Sequence, residues 1–84
     1  MTLLSRKADY ALLILSYLHQ NGAGTARAVA EKLGLKRPFV ANILKELCHF
    51  GFAQGRRGVK GGYTLARPAE TITLAELLES IESG

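Results

Sequence analysis

The stretch that decides the fold is TARAVAEKLGLKRPFVANILKELCHFG, residues 25–51. Its apolar residues recur at three- and four-residue intervals on both sides of Gly34, which is the pattern of two amphipathic helices. Thr25 is a typical N-cap, and Gly34 suits the left-handed position that ends a helix. Pro38 fits the first turn of the second helix, because its missing N–H would have no helical partner there. We therefore expect a short helix, a tight turn and a longer helix over residues 37–50.

Two helices joined by a tight, glycine-containing turn are typical of a helix-turn-helix. An ordinary helical hairpin has the same pattern, so this geometry alone leaves DNA binding open. On a helical wheel the longer helix has one apolar face, formed by Val40, Ile43, Leu44 and Leu47. The opposite face carries Pro38, Ala41, Asn42, Lys45 and His49. That face suits a major groove about 12 Å wide, where Asn pairs with adenine and Lys donates to guanine, although a solvated surface is the alternative for any one side chain.

Further elements lie on both sides of this pair. Upstream, Ser5 can cap an amphipathic helix that ends before NGAG, residues 21–24. Downstream, FAQGRR and GYTLA alternate as two short strands joined by a glycine-rich turn, which predicts a β-hairpin that ends by Pro68. Thr73 begins a Thr-x-x-Glu capping box in front of a last helix over residues 74–82. The expected fold is one mainly α domain, residues 1–84, in the order helix, helix, helix, hairpin wing, helix.

The charge of the chain is concentrated in its middle. The 84 residues carry a net charge of +4. Residues 36–67 hold seven Lys and Arg residues against a single acidic residue, Glu46, whereas residues 68–84 hold four glutamates and no cation. A positive field focused in this way attracts polyanions, and nucleic acid is the leading candidate.

Composition argues against several other classes of protein. The lone cysteine, Cys48, provides neither an internal disulfide nor the usual metal ligand set, and it is expected to pack as a small apolar residue. No paired carboxylates, Ser/His/Asp set or Cys/His pair is evident, so we expect no enzyme. The longest apolar run, residues 11–15, is too short to span a membrane, and a cytoplasmic protein is expected.

The segment GRRGVKGGY, residues 55–63, has three interpretations. A nucleotide-binding loop is disfavoured, because neither GxxxxGK[ST] nor GxGxxG matches and the segment lies between two strands. It could be a hairpin tip whose cations only confer solubility. It could also be a DNA-binding wing, in which Arg57 enters a narrow minor groove while Arg56 and Lys60 lie nearer the backbone. The neighbouring helix-turn-helix favours the wing.

Three segments resemble a known family over nearly the whole chain: KADYALLILSYL (7–18), AEKLGLKRPFVANILKEL (30–47) and RGVKGGYTLARPAETITLAELLESIE (57–82). They are similar to the N-terminal domain of the IscR/NsrR/CymR-type bacterial transcriptional regulators. The most specific element is Arg-Gly-x-x-Gly-Gly-Tyr, residues 57–63.

The resemblance implies a DNA site. In that family the third helix reads the major groove, the wing arginine enters the minor groove, and dimers bind palindromic operators. By resemblance Arg57 is the wing reader, and Tyr63 closes its motif. The residues implied at or beside base edges are Pro38, Phe39, Ala41, Asn42 and Lys45. Those implied to contact phosphates at helix starts are Ser5, Arg6, Thr25, Lys36 and Arg37.

The resemblance also implies two features that this sequence does not match. Relatives often bind an iron–sulphur cluster through three cysteines that are absent here, so we expect no cofactor in this chain. Relatives continue into a long dimerisation helix, so a truncated module or a short family member is expected. In isolation the chain is expected to be a monomer or a weak dimer, paired through the first helix or through an exposed surface at Leu77 and Ile81.

The expected mode of regulation is repression. The alternative function is a winged-helix module for protein–protein contacts.

Overall fold

The computed structural model describes residues 6–56 and 62–82. Within these ranges the chain forms three helices, a hairpin, a short 3₁₀ turn and a fourth helix. The elements are α1 (Arg6–Asn21), α2 (Ala26–Leu33), α3 (Arg37–His49), β1 (Ala53–Gly55), β2 (Tyr63–Leu65), the 3₁₀ turn (Ala69–Thr71) and α4 (Leu74–Glu82). The predicted mainly α fold with a small β-hairpin is confirmed. The predicted cap Ser5 lies outside the described residues.

Local capping signals define the boundaries of α2 and α3. The Thr25 side-chain oxygen accepts a hydrogen bond from the Ala28 N–H at 3.0 Å, as expected of an N-cap. Such a cap contributes about 1 kcal/mol. Gly34 ends α2 in the left-handed conformation with φ of 69°, which a residue with a Cβ rarely adopts. Pro38 lies in the first turn of α3, as predicted.

The core is apolar and lies between α1 and the other elements. α1 buries its small and aliphatic residues Ala8, Ala11, Ile14, Leu15 and Leu18. α3 contributes Val40, Ile43, Leu44 and Leu47, which is the predicted inner face. Phe52 is the largest fully buried side chain and lies directly before β1. Among the described residues no helix is both long and apolar enough to cross a lipid bilayer.

The last helix begins as predicted, but its apolar stripe is buried rather than exposed. The Thr73 side-chain oxygen accepts a hydrogen bond from the Glu76 N–H at 3.0 Å, which confirms the cap. Leu77 and Ile81 are only 0% and 3% exposed, so the prediction of an exposed dimer surface at these residues is wrong. The physical reason is that this stripe covers the core beside α1. The large apolar side chains that these two helices do expose are Leu13 and Leu74, at 47% and 48%.

The hairpin is antiparallel and shorter than the alternation predicted. Ala53 pairs with Leu65, and Gly55 pairs with Tyr63. The second strand ends at Leu65, one residue before the end of the predicted segment GYTLA, and Pro68 flanks the 3₁₀ turn that follows.

Candidate nucleic-acid interface

The burial of one face of α3 fixes which side chains the helix presents to solvent. Because Val40, Ile43, Leu44 and Leu47 are buried, the opposite side of the helix is outermost. We call this side the outer face of α3. It consists of Pro38, Ala41, Asn42, Lys45 and His49. All of these residues are exposed except Ala41, which is half-buried, so the predicted division of the helix into two faces is confirmed.

Phe39 lies beside the outer face but packs inward. Its ring meets Tyr10 of α1 edge to face, with centroids 5.1 Å apart and an interplanar angle of 88°. Such aromatic pairs contribute about 0.5–1.5 kcal/mol beyond the burial of their area. Phe39 is half-buried and therefore joins the start of α3 to α1, in addition to lying at the edge of the predicted site.

The helix starts carry the cations predicted to meet phosphates. Arg6 is exposed at the first residue of α1, and Lys36 and Arg37 are exposed at the start of α3. Lys36 occupies the N-cap of α3 and makes no side-chain capping hydrogen bond. The half-buried Thr25 instead uses its hydroxyl oxygen to cap α2.

An ion pair between helices neutralises the acidic residue of the basic middle segment. Lys7 Nζ of α1 lies 2.7 Å from Glu46 Oε2 of α3, and both side chains are partly exposed. A pair of this kind contributes about 0–1 kcal/mol to stability. Its larger effect is on the electrostatic field of residues 36–67. Glu46 is the only acidic residue of that segment, so the pair leaves the positive charge there unopposed. Four cations of that segment make no ion pair among the described residues: Lys36, Arg37, Lys45 and Arg56.

The base of the hairpin is held against the start of α2. The Gly24 N–H donates to the Tyr63 carbonyl at 3.0 Å, and the Tyr63 N–H donates to the Gly24 carbonyl at 2.8 Å. The Arg56 N–H donates to the Gly62 carbonyl at 2.8 Å, which continues the hairpin pairing one residue beyond β1. Half-buried Tyr63 thus anchors the hairpin through its backbone. Arg57 and Lys60 lie outside the described residues, and their predicted roles remain predictions.

A polar cluster that the sequence did not indicate lies behind the hairpin. Arg67 donates to both carboxylate oxygens of Glu76, with Nη1 2.7 Å from Oε2 and Nη2 3.0 Å from Oε1. The guanidinium lowers the pKa of the Glu76 carboxyl, chiefly through these hydrogen bonds. The sequence indicates Glu76 only as part of a capping box, and Arg67 only as one of the seven cations in residues 36–67. Their separation along the chain gave no signal that they pair.

Cys48 is half-buried beside the hairpin. Burial raises the pKa of its thiol, and the Gly55 N–H opposes that rise by hydrogen bonding. A raised pKa keeps the thiol protonated and less reactive, in agreement with the predicted packing role.

Helices α1 to α3 and a hairpin anchored beside α2 define a winged helix-turn-helix domain. The model of the Rrf2 family, described as an iron-dependent transcriptional regulator, matches residues 4–84. This chain belongs to the Rrf2 family, and the resemblance seen in the sequence is confirmed.

Individual relatives agree with this assignment. The HTH-type transcriptional regulator IscR of Cereibacter sphaeroides is 32% identical over 84 residues, covering 94% of this chain and 54% of that protein. CymR of B. subtilis, titled the global cysteine regulator, superposes with a TM-score of 0.87 at 25% identity, covering 100% of this chain and 67% of that chain. IscR of T. potens superposes with a TM-score of 0.86 at 26% identity, covering 95% of this chain and 61% of that chain. The chain spans about half the length of the curated relatives it matches, at 57%, 49% and 54%.

The residues present do not fit the iron of the family description. Residues 6–56 and 62–82 contain no group of three or more His, Cys, Asp or Glu residues arranged to hold a metal ion. The sequence has a single cysteine, whereas a cluster is usually held by several thiolates. Cys48 lies beside the hairpin backbone, where the Gly55 N–H is its hydrogen-bond donor.

Proposed function

We propose that this chain binds a specific double-stranded DNA sequence and thereby regulates transcription, with α3 in the major groove and the wing, residues 55–63, in the adjacent minor groove. The observation that carries the proposal is the charge arrangement. Lys36, Arg37, Lys45 and Arg56 lie exposed without an ion pair among the described residues, while Lys7 neutralises Glu46. Unpaired cations on one helix and at the wing base are what a phosphate backbone attracts.

The proposed reading of bases rests on the outer face of α3. Asn42 and Lys45 are three residues apart on the helix and are therefore neighbours on its surface. An amide can pair with adenine through two hydrogen bonds, and an ammonium can donate to guanine. The half-buried Ala41 leaves room for a base edge to approach the helix between larger side chains. Arg6, Lys36 and Arg37 would bind flanking phosphates and fix the register.

The wing carries the second half of the proposal. Arg57 would enter the minor groove, with Arg56 and Lys60 directed to phosphates. Arg57→Ala is expected to lower affinity and to remove minor-groove preference when binding is measured across a randomised duplex library. Unchanged affinity across that library would refute the role of Arg57 as the wing reader.

Sequence-specific binding is tested by selection from genomic DNA in the presence of a polyanion competitor. We expect a recurring sequence to be retained, and its affinity to fall steeply as salt rises because bound cations are released. Retention of no sequence above the competitor background would favour the alternative function, a winged-helix module that contacts an acidic protein.

Repression and pairing on DNA complete the proposal. A chain that occupies a site overlapping a promoter blocks polymerase, and run-off transcription should fall as the protein is added.

A palindrome with half-sites about 34 Å apart would bring together two copies that are monomeric or weakly paired in solution. Two protomers per duplex, counted by sedimentation, are expected. A regulator of this kind acts on the chromosome, so we propose a cytoplasmic location.

We assign no cofactor to this chain, because the sequence has a single cysteine and the part that the structure describes contains no group of His, Cys, Asp or Glu residues arranged to hold a metal ion. Binding to the selected duplex is expected to be unchanged by a metal chelator. A loss of affinity that iron restores would contradict that assignment.

A further inference from the structure

Arg67 lies just after β2, and most of its hydrogen-bonding capacity is used within the protein. Two of its nitrogens form a fork to the Glu76 carboxylate, at 2.7 and 3.0 Å. Its Nε donates to Thr71 Oγ1 at 3.0 Å, and Nη2 also donates to the Thr71 carbonyl. Thr71 Oγ1 in turn donates to the Pro68 carbonyl at 2.6 Å. Arginine has five N–H donors in a planar fork, so this arrangement leaves little of it for another partner.

The same guanidinium lies where the hairpin meets the helices. It is 5.8 Å from the centroid of the Phe52 ring, within the range of a cation–π contact. Phe52 is 1% exposed, directly precedes β1, and accepts a hydrogen bond at its carbonyl from the Ala66 N–H at 3.0 Å. The entry to β1, the exit from β2 and the start of α4 therefore converge on Arg67.

We infer that Arg67 is a positioning residue for the wing: its fork to Glu76 fixes the direction of the hairpin relative to α3, so that both reach DNA together. This inference rests on the proposed DNA-binding function. The alternative role for Arg67, suggested by its place in the basic segment, is direct contact with a phosphate. The side chains of Arg67 and Glu76 are 32% and 41% exposed, so the surface is accessible to either role.

The two roles predict opposite changes in DNA affinity when Glu76 loses its charge. If charge alone matters, Glu76→Gln removes an anion, frees a cation and tightens DNA binding. If the pair positions the wing, the same change loosens the hairpin base and weakens DNA binding. Glu79→Gln is the matched control, because Glu79 is an exposed glutamate on the same helix that makes no ion pair among the described residues.

The test uses the full chain and the duplex recovered from the genomic selection, in two versions. One version has A·T pairs where the wing would lie, and the other has G·C pairs there, since the minor groove distinguishes these. Affinity is measured by fluorescence anisotropy for wild type, Glu76→Gln, Arg67→Lys, the double variant and Glu79→Gln. Glu76→Gln is expected to weaken binding to the A·T duplex at least about threefold and to bring the A·T to G·C affinity ratio toward one.

The affinity ratio separates positioning from simple loss of folded protein. Partial unfolding lowers the active concentration equally for both duplexes and leaves their ratio unchanged. Arg67→Lys keeps the charge but not the fork, so it is expected to behave like Glu76→Gln, and the double variant is expected to be no worse than either single one.

Three results would overturn the inference: tighter binding by Glu76→Gln, an unchanged affinity ratio, or wild-type behaviour of Arg67→Lys. A wild-type protein that selects no duplex would instead refute the proposed function.

Discussion

Gly24 and Tyr63 exchange two backbone hydrogen bonds, at 3.0 and 2.8 Å, and so join the hairpin to the link between α1 and α2. Thr25, the next residue, caps α2. One short piece of backbone therefore holds both the wing and the start of the helix-turn-helix. The relative placement of the hairpin and the helix-turn-helix therefore depends on how closely the backbone segments can approach each other at Gly24.

Gly24→Ala tests this close approach. A Cβ at position 24 would lie 2.6 Å from Tyr17 Cε1 and 3.2 Å from Val29 Cγ2, so the surrounding side chains must shift. We expect a loss of about 1–3 kcal/mol in the free energy of unfolding, measured by urea denaturation. Gly55→Ala is the control, because its Cβ would meet only Tyr63 Cε2 at an ordinary 3.9 Å. Equal urea midpoints for the two variants would contradict the argument.

Much of the helical framework was predictable because its signals are local. Thr25, Gly34 and Pro38 mark helix ends through their own backbone preferences, and the apolar period of α3 gave its inner face. The contact between Gly24 and Tyr63 was not predictable, since it joins distant segments through backbone atoms that carry no residue-specific signal. The period of α4 showed that Leu77 lies on an apolar stripe, but not that α1 lies close enough to bury it.

The candidate site was predictable to a similar extent. The sequence located the cations, and the structure supplied their partners. Lys7 of α1 pairs with Glu46 of α3, and Arg67, in the link after β2, pairs with Glu76 of α4. A count of charges along the chain treats Arg67 and Lys45 alike, although one is held by a carboxylate and the other has no ion pair among the described residues.

Lys45→Ala is expected to reduce sequence-specific binding. The side chain is exposed on the outer face of α3, where the proposal has it donate to a base edge. Affinity for the selected duplex should fall about tenfold, and affinity for a scrambled duplex should fall much less. Lys32→Ala, which removes an exposed lysine from α2, is the matched control and should change neither affinity more than about twofold. Equal losses on both duplexes would place Lys45 at a phosphate instead.

Glu46→Gln is expected to tighten DNA binding, in contrast to Glu76→Gln. Glu46 lies on α3 and pairs with Lys7, so its neutralisation removes an anion from the basic segment and frees a cation. We expect affinity to rise a few-fold at low salt and this gain to shrink as salt increases. The free energy of unfolding should fall by less than about 1 kcal/mol, since the pair is partly exposed.

The control for that variant is Glu82→Gln, which makes the same charge change at an exposed position on α4. Its effect on DNA affinity should be smaller, because Glu82 lies at the end of α4 rather than on α3, and salt screens a charge increasingly with distance. Equal gains from the two variants would mean that net charge, rather than the neutralised acid on α3, governs binding.

The Arg67–Glu76 pair predicts how stability depends on pH. The hydrogen bonds from Arg67 hold the pKa of Glu76 below its ordinary value of 4.5, and the Thr73 N–H adds to this effect. Because the pKa is lower in the folded state than in the unfolded state, the contribution to stability is complete above pH 4.5 and is lost as the pH falls through the folded-state pKa. Thermal unfolding of wild type and Glu76→Gln is followed by circular dichroism from pH 7 to pH 3. The difference in Tm between them should be constant near neutrality and should shrink below pH 4.5. Other carboxyls titrate in both proteins alike, so a difference that does not change with pH would show that Glu76 is not held ionised by Arg67.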